Sequence, residues 1–372
     1  MRLLDRYLLG ELLIPLGYCL CGFLIFWISF DLLSELDEFQ RRNLLVRDVA
    51  EFYLVKMPDL LLVVLPVALL LALLYTLTDQ ARHNEITAIR SAGISIWRLS
   101  VPYLVTGFLL SLALLSANEL WVPDAAEMVD AILRRREPAE RKASPGKRFQ
   151  NVSFRNEPAN RYWHLKSVNI TTSEMLNPQV EWELEDGSRR HIFAERAIWT
   201  NQAWTFFNVQ EVWHSSVPGS IPPKSYTELT IPELTETPAQ IKSEIKVNSL
   251  TARAAARKAQ VSVADVLDYK RLHPHMDAPT RALVETQLHG RLAAPWTCLV
   301  VVLIALPFGA AVGRRNAFVG VAASIFICFT YFVLMKFGLV LGTGLKLVPW
   351  VAAWFPNLFF SVIGIWLTQR AR

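Results

Sequence analysis

Six long stretches of the chain contain no Asp, Glu, Lys or Arg, and each is at least 19 residues long. They cover residues 12–30, 60–78, 99–118, 292–313, 317–335 and 347–369. About 20 consecutive apolar residues cross the hydrocarbon core of a bilayer as a helix. The pattern therefore predicts six membrane-spanning helices, three before and three after a long insert.

The insert between the third and fourth stretches changes pattern along its length. From about residue 146 to 246, short segments alternate apolar and polar positions, as at Val180, Trp182 and Leu184. Strands at this spacing are typical of a β-sandwich or jelly roll. From about residue 249 to 287 the spacing is helical, with Ser262 as a predicted N-cap. We expect a β domain followed by a helical connector.

Two shorter segments next to the apolar stretches also have helical spacing. Residues 1–11 place charges between leucines, which predicts an interfacial helix leading into the first span. Between the second and third stretches, Glu85, Ala88 and Ala92 recur at helical spacing, and Gly93 follows as a stop signal. This second segment predicts a short helix over about residues 80–93, lying across the membrane face.

Composition and charge agree with a membrane protein. Hydrophobic residues make up 52% of the 372 residues and charged residues only 19%, against about 25% charged in an ordinary globular chain. A soluble enzyme, a disordered chain and a single-anchor protein are excluded. Basic residues concentrate on the side opposite the insert, which predicts cytoplasmic termini and an insert outside. These arginines are Arg2, Arg6, Arg82, Arg90, Arg98, Arg314, Arg315, Arg370 and Arg372.

The predicted organisation has four parts. Residues 1–120 hold spans one to three with the short cytoplasmic helix, and residues 121–248 hold the β domain with its lead-in. Residues 249–290 form the helical connector, and residues 291–372 hold spans four to six.

No motif in the sequence indicates catalysis, a bound cofactor or a metal. All four cysteines lie inside apolar stretches, which favours small packed side chains over disulfides or ligands. His273-Pro274-His275 is predicted to lie in a solvated helix break without an acidic residue at useful spacing, which disfavours a metal site. Nucleotide-binding loops and paired catalytic residues are missing from the sequence. We therefore expect a protein without enzymatic activity or a cofactor of its own.

Two charged residues are candidates for function. Lys336 lies within the fifth span near its outer end, where its ammonium could meet an anionic group such as a phosphate; snorkelling to the interface is the alternative. Glu85, framed by Arg82 and Arg90, has the position that a permease offers to a motor subunit, and a solvated loop helix is the alternative.

Six local motifs, in order along the chain, resemble the LptF/LptG family of permeases from the bacterial lipopolysaccharide exporter. The resemblance covers essentially the whole length. LDRY favours the LptG branch of the family, although the LptF branch stays open. The motifs are LDRY (4–7), MPD with LPVALLLALLYTLT (57–59 and 65–78), NEITAIRSAGIS (84–95), NELWVP (118–123), LAAPWTCLVVVLIALPFG (292–309) and WFPNLFF (354–360).

The resemblance implies a polytopic protein of the bacterial inner membrane with six spans and an inserted periplasmic β-jelly-roll domain. The implied partners are a second six-span permease, a cytoplasmic ABC ATPase dimer that binds ATP and Mg, a periplasmic bridge of the jelly-roll type, and lipopolysaccharide; nucleic acid is not a partner. The lipid would enter between span one of one permease and span five of the other. The resemblance implies that Glu85 contacts the ATPase. Arg82 beside it, and the small residues Ala88, Ala92 and Gly93 that allow close approach, complete the predicted contact.

The stretch after span one departs from the family pattern. Family members often carry lysines there, where lipid phosphates arrive, whereas this chain reads DLLSELDEFQRR and is mostly acidic. The candidates for phosphate contact are therefore Lys336, Arg41 and Arg42. Two alternatives stay open: a mechanotransmission-type ABC permease, and a membrane receptor or scaffold with a periplasmic sensing domain.

Overall fold

The computed structural model describes residues 3–121, 125, 128–129, 131–133, 135, 148–169, 172–184, 187–214, 222–251, 261–310 and 317–370. Two compact units are present. One contains residues 1–133 and 281–372, and the other contains residues 134–280. We refer to them as the membrane unit and the β unit. The predicted helix over residues 250–260 falls largely outside the described residues.

The described helices account for the six predicted spans. A 3₁₀ turn, Ala294–Trp296, joins α7 to α8, and together they form the fourth span. Within the described residues, six helices are long and apolar enough to cross a membrane, so the predicted spans are confirmed. The helix bounds are α1 Leu3–Arg41, α2 Val46–Arg82, α3 Glu85–Ser91, α4 Ile96–Leu120, α5 Pro238–Thr251, α6 Val263–Leu272, α7 Ala278–Ala293, α8 Thr297–Ala310, α9 Ala317–Thr343 and α10 Pro349–Arg370.

The first helix is longer than the sequence predicted. The N-terminal segment and the first span form the single helix α1, which continues through Pro15. Because apolar positions repeat at helical spacing from Leu3 onward, no break separates an interfacial helix from the span.

Helices α2 and α8 form the centre of the membrane unit. Leu69, Leu73 and Leu77 of α2 are fully buried, and Val301 and Val302 of α8 pack into the same cluster. By contrast, α1 and α9 lie at the periphery: only 11% and 17% of the residues in their most apolar windows are buried, against 67% in α2. The two peripheral helices therefore present most of their apolar surface outward.

A buried polar network joins three spans. The Tyr331 hydroxyl of α9 donates to Asn357 Oδ1 of α10 at 2.5 Å and lies 2.9 Å from Thr297 Oγ1 of α8. Asn357 Nδ2 donates to the Ala293 carbonyl at 2.8 Å. Polar side chains between membrane helices hydrogen-bond across the interface in this way. Thr297 and Asn357 belong to two of the sequence motifs, which this network brings together.

Close approach of helix backbones fixes one contact of this core. A Cβ atom placed on Gly364 of α10 would lie 2.6 Å from the Leu303 carbonyl oxygen of α8. Small residues let membrane helices approach at backbone distance. Gly364 is therefore required by packing.

The β unit contains one antiparallel sheet, which confirms the predicted inserted β domain. Its strands follow chain order, because Arg189–Phe193 (β4) and Arg196–Thr200 (β5) lie one after the other between Glu174–Glu183 (β3) and Ala203–His214 (β6). This is a meander, whereas a jelly roll in the strict sense contains Greek-key crossings. The strand bounds are β1 Arg148–Asn156, β2 Arg161–Asn169, β3 Glu174–Glu183, β4 Arg189–Phe193, β5 Arg196–Thr200, β6 Ala203–His214 and β7 Lys224–Ile231.

The sheet bends along one row of residues that lie opposite each other in neighbouring strands, and we call this row the crease. Asn151 in β1, Asn177 in β3 and Asn208 in β6 have positive φ angles of 52°, 47° and 54°. Glu195, between β4 and β5, accepts at its carbonyl from Asn177 N at 2.8 Å and at Oε2 from Asn208 Nδ2 at 2.6 Å. Asparagine tolerates the left-handed region better than most residues.

Strand pairing is regular on both sides of this row and is interrupted at the row itself. Leu165 pairs with Pro178 and Ser167 with Leu176, so that Lys166 faces Asn177. A local break in the ladder bends the strand. We define the crease by the residues that share this row: Asn151, Lys166, Asn177, Glu195, Asn208 and Thr227.

One apolar core covers the inner face of the sheet. Trp163, Trp204 and Phe206 are at its centre and are essentially inaccessible to solvent. Val152 of β1 and Ile231 of β7 belong to the same cluster, so both outer strands contribute to one core. A sheet bent along the crease can enclose its apolar face without Greek-key connections.

Candidate functional site

The short helix α3, between the second and third spans, is a separate element from the span before it. Helix α2 ends at Arg82, and Asn84 adopts a left-handed conformation with φ of 58° before α3 begins at Glu85. Gly93, with φ of 82°, follows the end of α3. The predicted helix over about residues 80–93 is therefore observed in two pieces, with Arg82 on α2. Asparagine at position 84 is the residue that permits this turn.

Helix α3 is attached to the membrane unit through its first residue and two apolar side chains, Ile86 and Ile89. Ile86 is buried in the main core of the membrane unit. Glu85 Oε2 accepts a hydrogen bond of 2.9 Å from the Tyr7 hydroxyl of α1. On the outer side of the helix, Ala88 and Ala92 are exposed. The small side chains of this exposed face allow close approach of another protein.

An ion pair reinforces the same region. Arg98, in the first turn of α4, lies 2.8 Å from Asp5 of α1. The LDRY motif therefore supplies two contacts, Asp5 to α4 and Tyr7 to α3. Sequence reasoning identified LDRY by resemblance alone and missed both contacts, because the partners are 93 and 78 residues away along the chain.

Lys336 lies on the exposed side of α9 and makes no hydrogen bond or ion pair within the described ranges. Its charge nevertheless interacts with the carboxylate of Asp59 on α2, as do the charges of Lys56 and Arg291. Arg291 in turn donates to Asn118 Oδ1 of α4 at 3.1 Å. The structure thus brings Lys336 into a charged cluster that we define by Lys56, Asp59, Arg291 and Lys336. Sequence reasoning missed Arg291.

Arg41 and Arg42 lie at the C-terminal end of α1. Arg42 forms an ion pair of 2.6 Å with Glu38 and donates to the Leu133 carbonyl at 3.3 Å. Arg41, the last residue of α1, is exposed. The structure does not bring these two arginines together with Lys336, so the three predicted phosphate contacts do not form one site in a single chain.

Another ion pair, between α1 and α2, neutralises a cation of the charged cluster. Lys56 Nζ lies 2.8 Å from Asp31 Oδ2, which also accepts from the Tyr53 hydroxyl at 3.1 Å. Asp31 thereby offsets Lys56, and the charged cluster keeps a net positive charge from Arg291 and Lys336 against Asp59.

The surroundings of His273 differ from the sequence prediction. His273 Nε2 lies 2.7 Å from Glu244 Oε1, and its Nδ1 lies 3.7 Å from Glu157. The predicted solvated position was wrong, since the His273 side chain is only 13% exposed. Both acids come from distant segments of the chain, so spacing along the sequence did not indicate them. Among the residues that the structure describes, no group of three or more potential ligands is arranged for a metal.

These contacts shift the protonation of both partners. Burial disfavours the His273 imidazolium, but the hydrogen bond to Glu244 and the charge of Glu157 outweigh burial and raise its pKa. Burial raises the pKa of Glu244, and its contact with His273 offsets only part of this effect. The pair joins α5 to the end of α6 inside the β unit.

Comparison with known proteins identifies one family. The family model described as "Lipopolysaccharide export system permease LptF/LptG" matches residues 6–370. No curated protein matches the chain significantly.

Proposed function

The chain belongs to the LptF/LptG family of lipopolysaccharide export permeases, and we propose that it is one of two permease subunits of an ATP-binding-cassette exporter. In this proposal the exporter extracts lipopolysaccharide from the outer leaflet of the bacterial inner membrane. Members of the family are permease components, and the match does not distinguish LptF from LptG.

The observation that carries this proposal is the outward exposure of the two spans that form the lateral entrance in the family. Phe26 and Phe30 of α1 are 65% and 64% exposed, and Phe326 and Phe329 of α9 are 71% and 66% exposed. Apolar side chains exposed on a membrane span contact either lipid or another helix, and these two spans are the least buried of the six described. We propose that α1 and α9 face a second six-span permease, with the lipid entering between them.

The charged cluster is the proposed contact for lipid phosphates. Lys336 and Arg291 supply positive charge at the entrance, and bidentate or point contacts of Arg and Lys bind phosphate oxygens. Arg41, at the end of α1, would come from the facing permease, since the entrance combines span one of one permease with span five of the other. Arg42 is less available because Glu38 neutralises it.

Motor coupling is assigned to α3. A cytoplasmic ABC ATPase dimer would bind ATP and Mg and would contact Glu85, Ala88, Ala92 and Gly93 on the exposed side of this helix. Arg82, on the last turn of α2, would flank the contact. This assignment places both termini in the cytoplasm and the β unit in the periplasm, in agreement with the distribution of arginines.

The β unit would pass the lipid to a periplasmic bridge protein. Strand β7 is an edge of the sheet in the described part of the β unit; of its residues only Ile231 is buried, while Lys224, Thr227 and Glu228 are exposed. Helix α5 lies against β1, the opposite edge. Sheet edges bind added strands through main-chain hydrogen bonds. We therefore propose that the bridge adds a strand at β7.

Affinity purification of the tagged chain in mild detergent, with mass spectrometry of protein and lipid, tests this function. Recovery of a second six-span permease, an ABC ATPase and lipid A species is the expected result. Recovery of an ATPase without glycolipid would favour the mechanotransmission permease. Recovery of neither would contradict the exporter and reopen the receptor or scaffold.

A further inference from the structure

A cavity of about 790 Å³ lies between α1 and α2, in the half of the membrane unit next to α3. Its walls are largely apolar and include Ile14, Tyr18, Leu74 and Tyr75. Its volume falls within the range of about 300–1,000 Å³ that is common for small-molecule sites. This cavity is an open groove between the two helices, since Ile14, Tyr18 and Tyr75 are 61%, 77% and 62% exposed, so a lipid can enter it from the side.

Charged side chains stand at one end of the cavity. Glu11, Asp79 and Arg82 line it there. Within the described part of the chain, the side chains of Glu11 and Arg82 make no hydrogen bond or ion pair, and Asp79 has one contact, at 3.6 Å from His83 Nδ1. Two carboxylates and one guanidinium are therefore available to a ligand at the mouth of an apolar cavity.

The floor of this mouth is fixed by the fold. Thr76 Oγ1 of α2 donates to the Glu11 carbonyl of α1 at 3.0 Å, and Thr76 is buried. The same hydroxyl lies 2.9 Å from the Ala72 carbonyl of its own helix, so it shares its proton between α2 and α1 beside the charged residues. The charges are thus presented by rigid helices, which lowers the entropic cost of binding.

We infer that the cavity binds a zwitterionic phospholipid with a primary amine in its headgroup, of the phosphatidylethanolamine class. Arg82 would pair with the phosphate, Glu11 and Asp79 would accept hydrogen bonds from the ammonium, and an acyl chain would lie against Tyr18 and Tyr75. Ionised partners form the strongest hydrogen bonds. A phosphatidylcholine headgroup has no N–H to donate, and an anionic headgroup without an amine meets two carboxylates.

Bound lipid would brace the helices on which α3 depends. Arg82 is three residues before Glu85, and α1 carries Tyr7, the hydrogen-bond donor to Glu85. The site goes beyond the proposed export function, since it concerns a lipid of the bilayer itself. It rests on that function in one respect: the leaflet in which the cavity lies is taken to be the cytoplasmic one.

The test is lipid retention by the full-length chain in nanodiscs. One preparation contains dioleoylphosphatidylethanolamine with phosphatidylglycerol, and the other contains dioleoylphosphatidylcholine with phosphatidylglycerol. Native mass spectrometry counts the lipids kept after release. We expect about tenfold greater retention of the ethanolamine lipid, and loss of this preference in the double variant Glu11→Gln with Asp79→Asn. Equal retention of the two lipids would overturn the inference.

A second variant tests the cavity apart from the charges. Leu71→Trp fills the cavity and should reduce retention of the ethanolamine lipid to the level of the double variant. Val362→Trp, on the exposed side of α10, should leave retention of this lipid unchanged. Equal retention in Leu71→Trp and the unchanged chain would contradict the site.

A photo-crosslinking residue at Tyr75, in an otherwise unchanged chain, gives a result that does not depend on how well these variants fold. We expect an adduct with the mass of the ethanolamine lipid. An adduct with protein would instead assign the cavity to a helix of a second permease and would overturn the lipid site.

Discussion

The hydroxyl of Tyr7 donates a hydrogen bond of 2.9 Å to Glu85, and this bond connects the start of the first span to the first residue of α3. The two residues come from separate motifs, LDRY and NEITAIRSAGIS. A movement of α3 would therefore be transmitted directly to α1, which is one wall of the proposed lipid entrance. This connection leads to the first prediction.

Substitutions of Tyr7 and Glu85 should have different effects on two steps: binding of the ATPase to α3, and coupling of ATP hydrolysis to lipid export. Tyr7→Phe removes the hydrogen bond but leaves the Glu85 carboxylate, so the ATPase should copurify normally while lipid export per ATP hydrolysed falls about threefold. Glu85→Ala should lose ATPase copurification. Normal complex yield and normal export in Glu85→Ala would contradict the role of α3.

Charge reversal at Lys336 should weaken lipid contact at the entrance. Lys336→Glu is expected to reduce ultraviolet crosslinking to lipopolysaccharide about tenfold, because it adds a second negative charge near Asp59. Asp59→Asn should act in the opposite direction and increase crosslinking. Lys346→Glu, at an exposed position after α9, is the matched control. Unchanged crosslinking in Lys336→Glu would favour snorkelling of this lysine.

The sheet edge should capture a periplasmic β protein. A photo-crosslinking residue at Thr227, in β7, is expected to form an adduct with the bridge protein during export. The same residue at Gln179, exposed but in the central strand β3, should form none. Equal capture at both positions, or capture at Gln179 alone, would contradict strand addition at β7.

Position 364 should tolerate no side chain. In Gly364→Ala the new methyl would meet the Leu303 carbonyl, which belongs to a helix backbone and cannot rotate away, so overpacking should destabilise the membrane unit by about 1–3 kcal/mol. Gly22→Ala in α1 is the control, because nothing lies within 4 Å of its Cβ position. Thermal unfolding in detergent measures the stability of both variants. Equal unfolding midpoints for Gly364→Ala and Gly22→Ala would contradict the close approach of α8 and α10 at this position.

Loss of protons from the His273 and Glu244 pair should make the β unit less stable as pH rises. The pKa of each group is raised in the folded chain above its ordinary value, 6.5 for histidine and 4.5 for glutamate. The folded chain therefore binds more protons than the unfolded chain, and stability falls from about pH 4.5 until the pH passes the raised pKa of His273. Hydrogen-exchange protection in α5 and α6, measured relative to the intrinsic exchange rate at each pH, should fall over this range.

The variant His273→Gln should flatten this pH dependence. His275→Gln is the control, since the His275 side chain is 90% exposed. A pH profile that is the same in His273→Gln and in the unchanged chain would exclude the pair as its source.

Local composition was sufficient to predict the spans, and distance along the chain explains what was missed. Each span is recognisable within about 20 residues, because an apolar helix is identified without reference to its partners. Glu85 was identified from helical spacing and resemblance. Its donor Tyr7, and the acids around His273, come from segments that only the folded chain brings together.

The crease was missed for a different reason. Asn151, Asn177 and Asn208 lie in the middle of segments with strand composition, and a single asparagine between apolar residues resembles an ordinary outward-facing position. Only the register shows that the three asparagines share one row. The buried contact between Asn357 and Tyr331 was not predicted either, because the sequence identified Asn357 only as part of a motif and gave no partner for it.

The crease also restricts how any further strand can align with this sheet. Left-handed residues occur at this row in β1, β3 and β6, and do not occur there in β2, between β4 and β5, or in β7. Left-handed and ordinary backbone conformations thus alternate from strand to strand along this row. A strand added beside Thr227 would continue the alternation with a left-handed residue, an asparagine or glycine, whereas a strand added beside Asn151 would have a residue of ordinary backbone conformation there. The crease therefore fixes the register of an added strand. A strand shifted by two residues would keep the same side chains on each face of the sheet, but its own bend would no longer align with the crease.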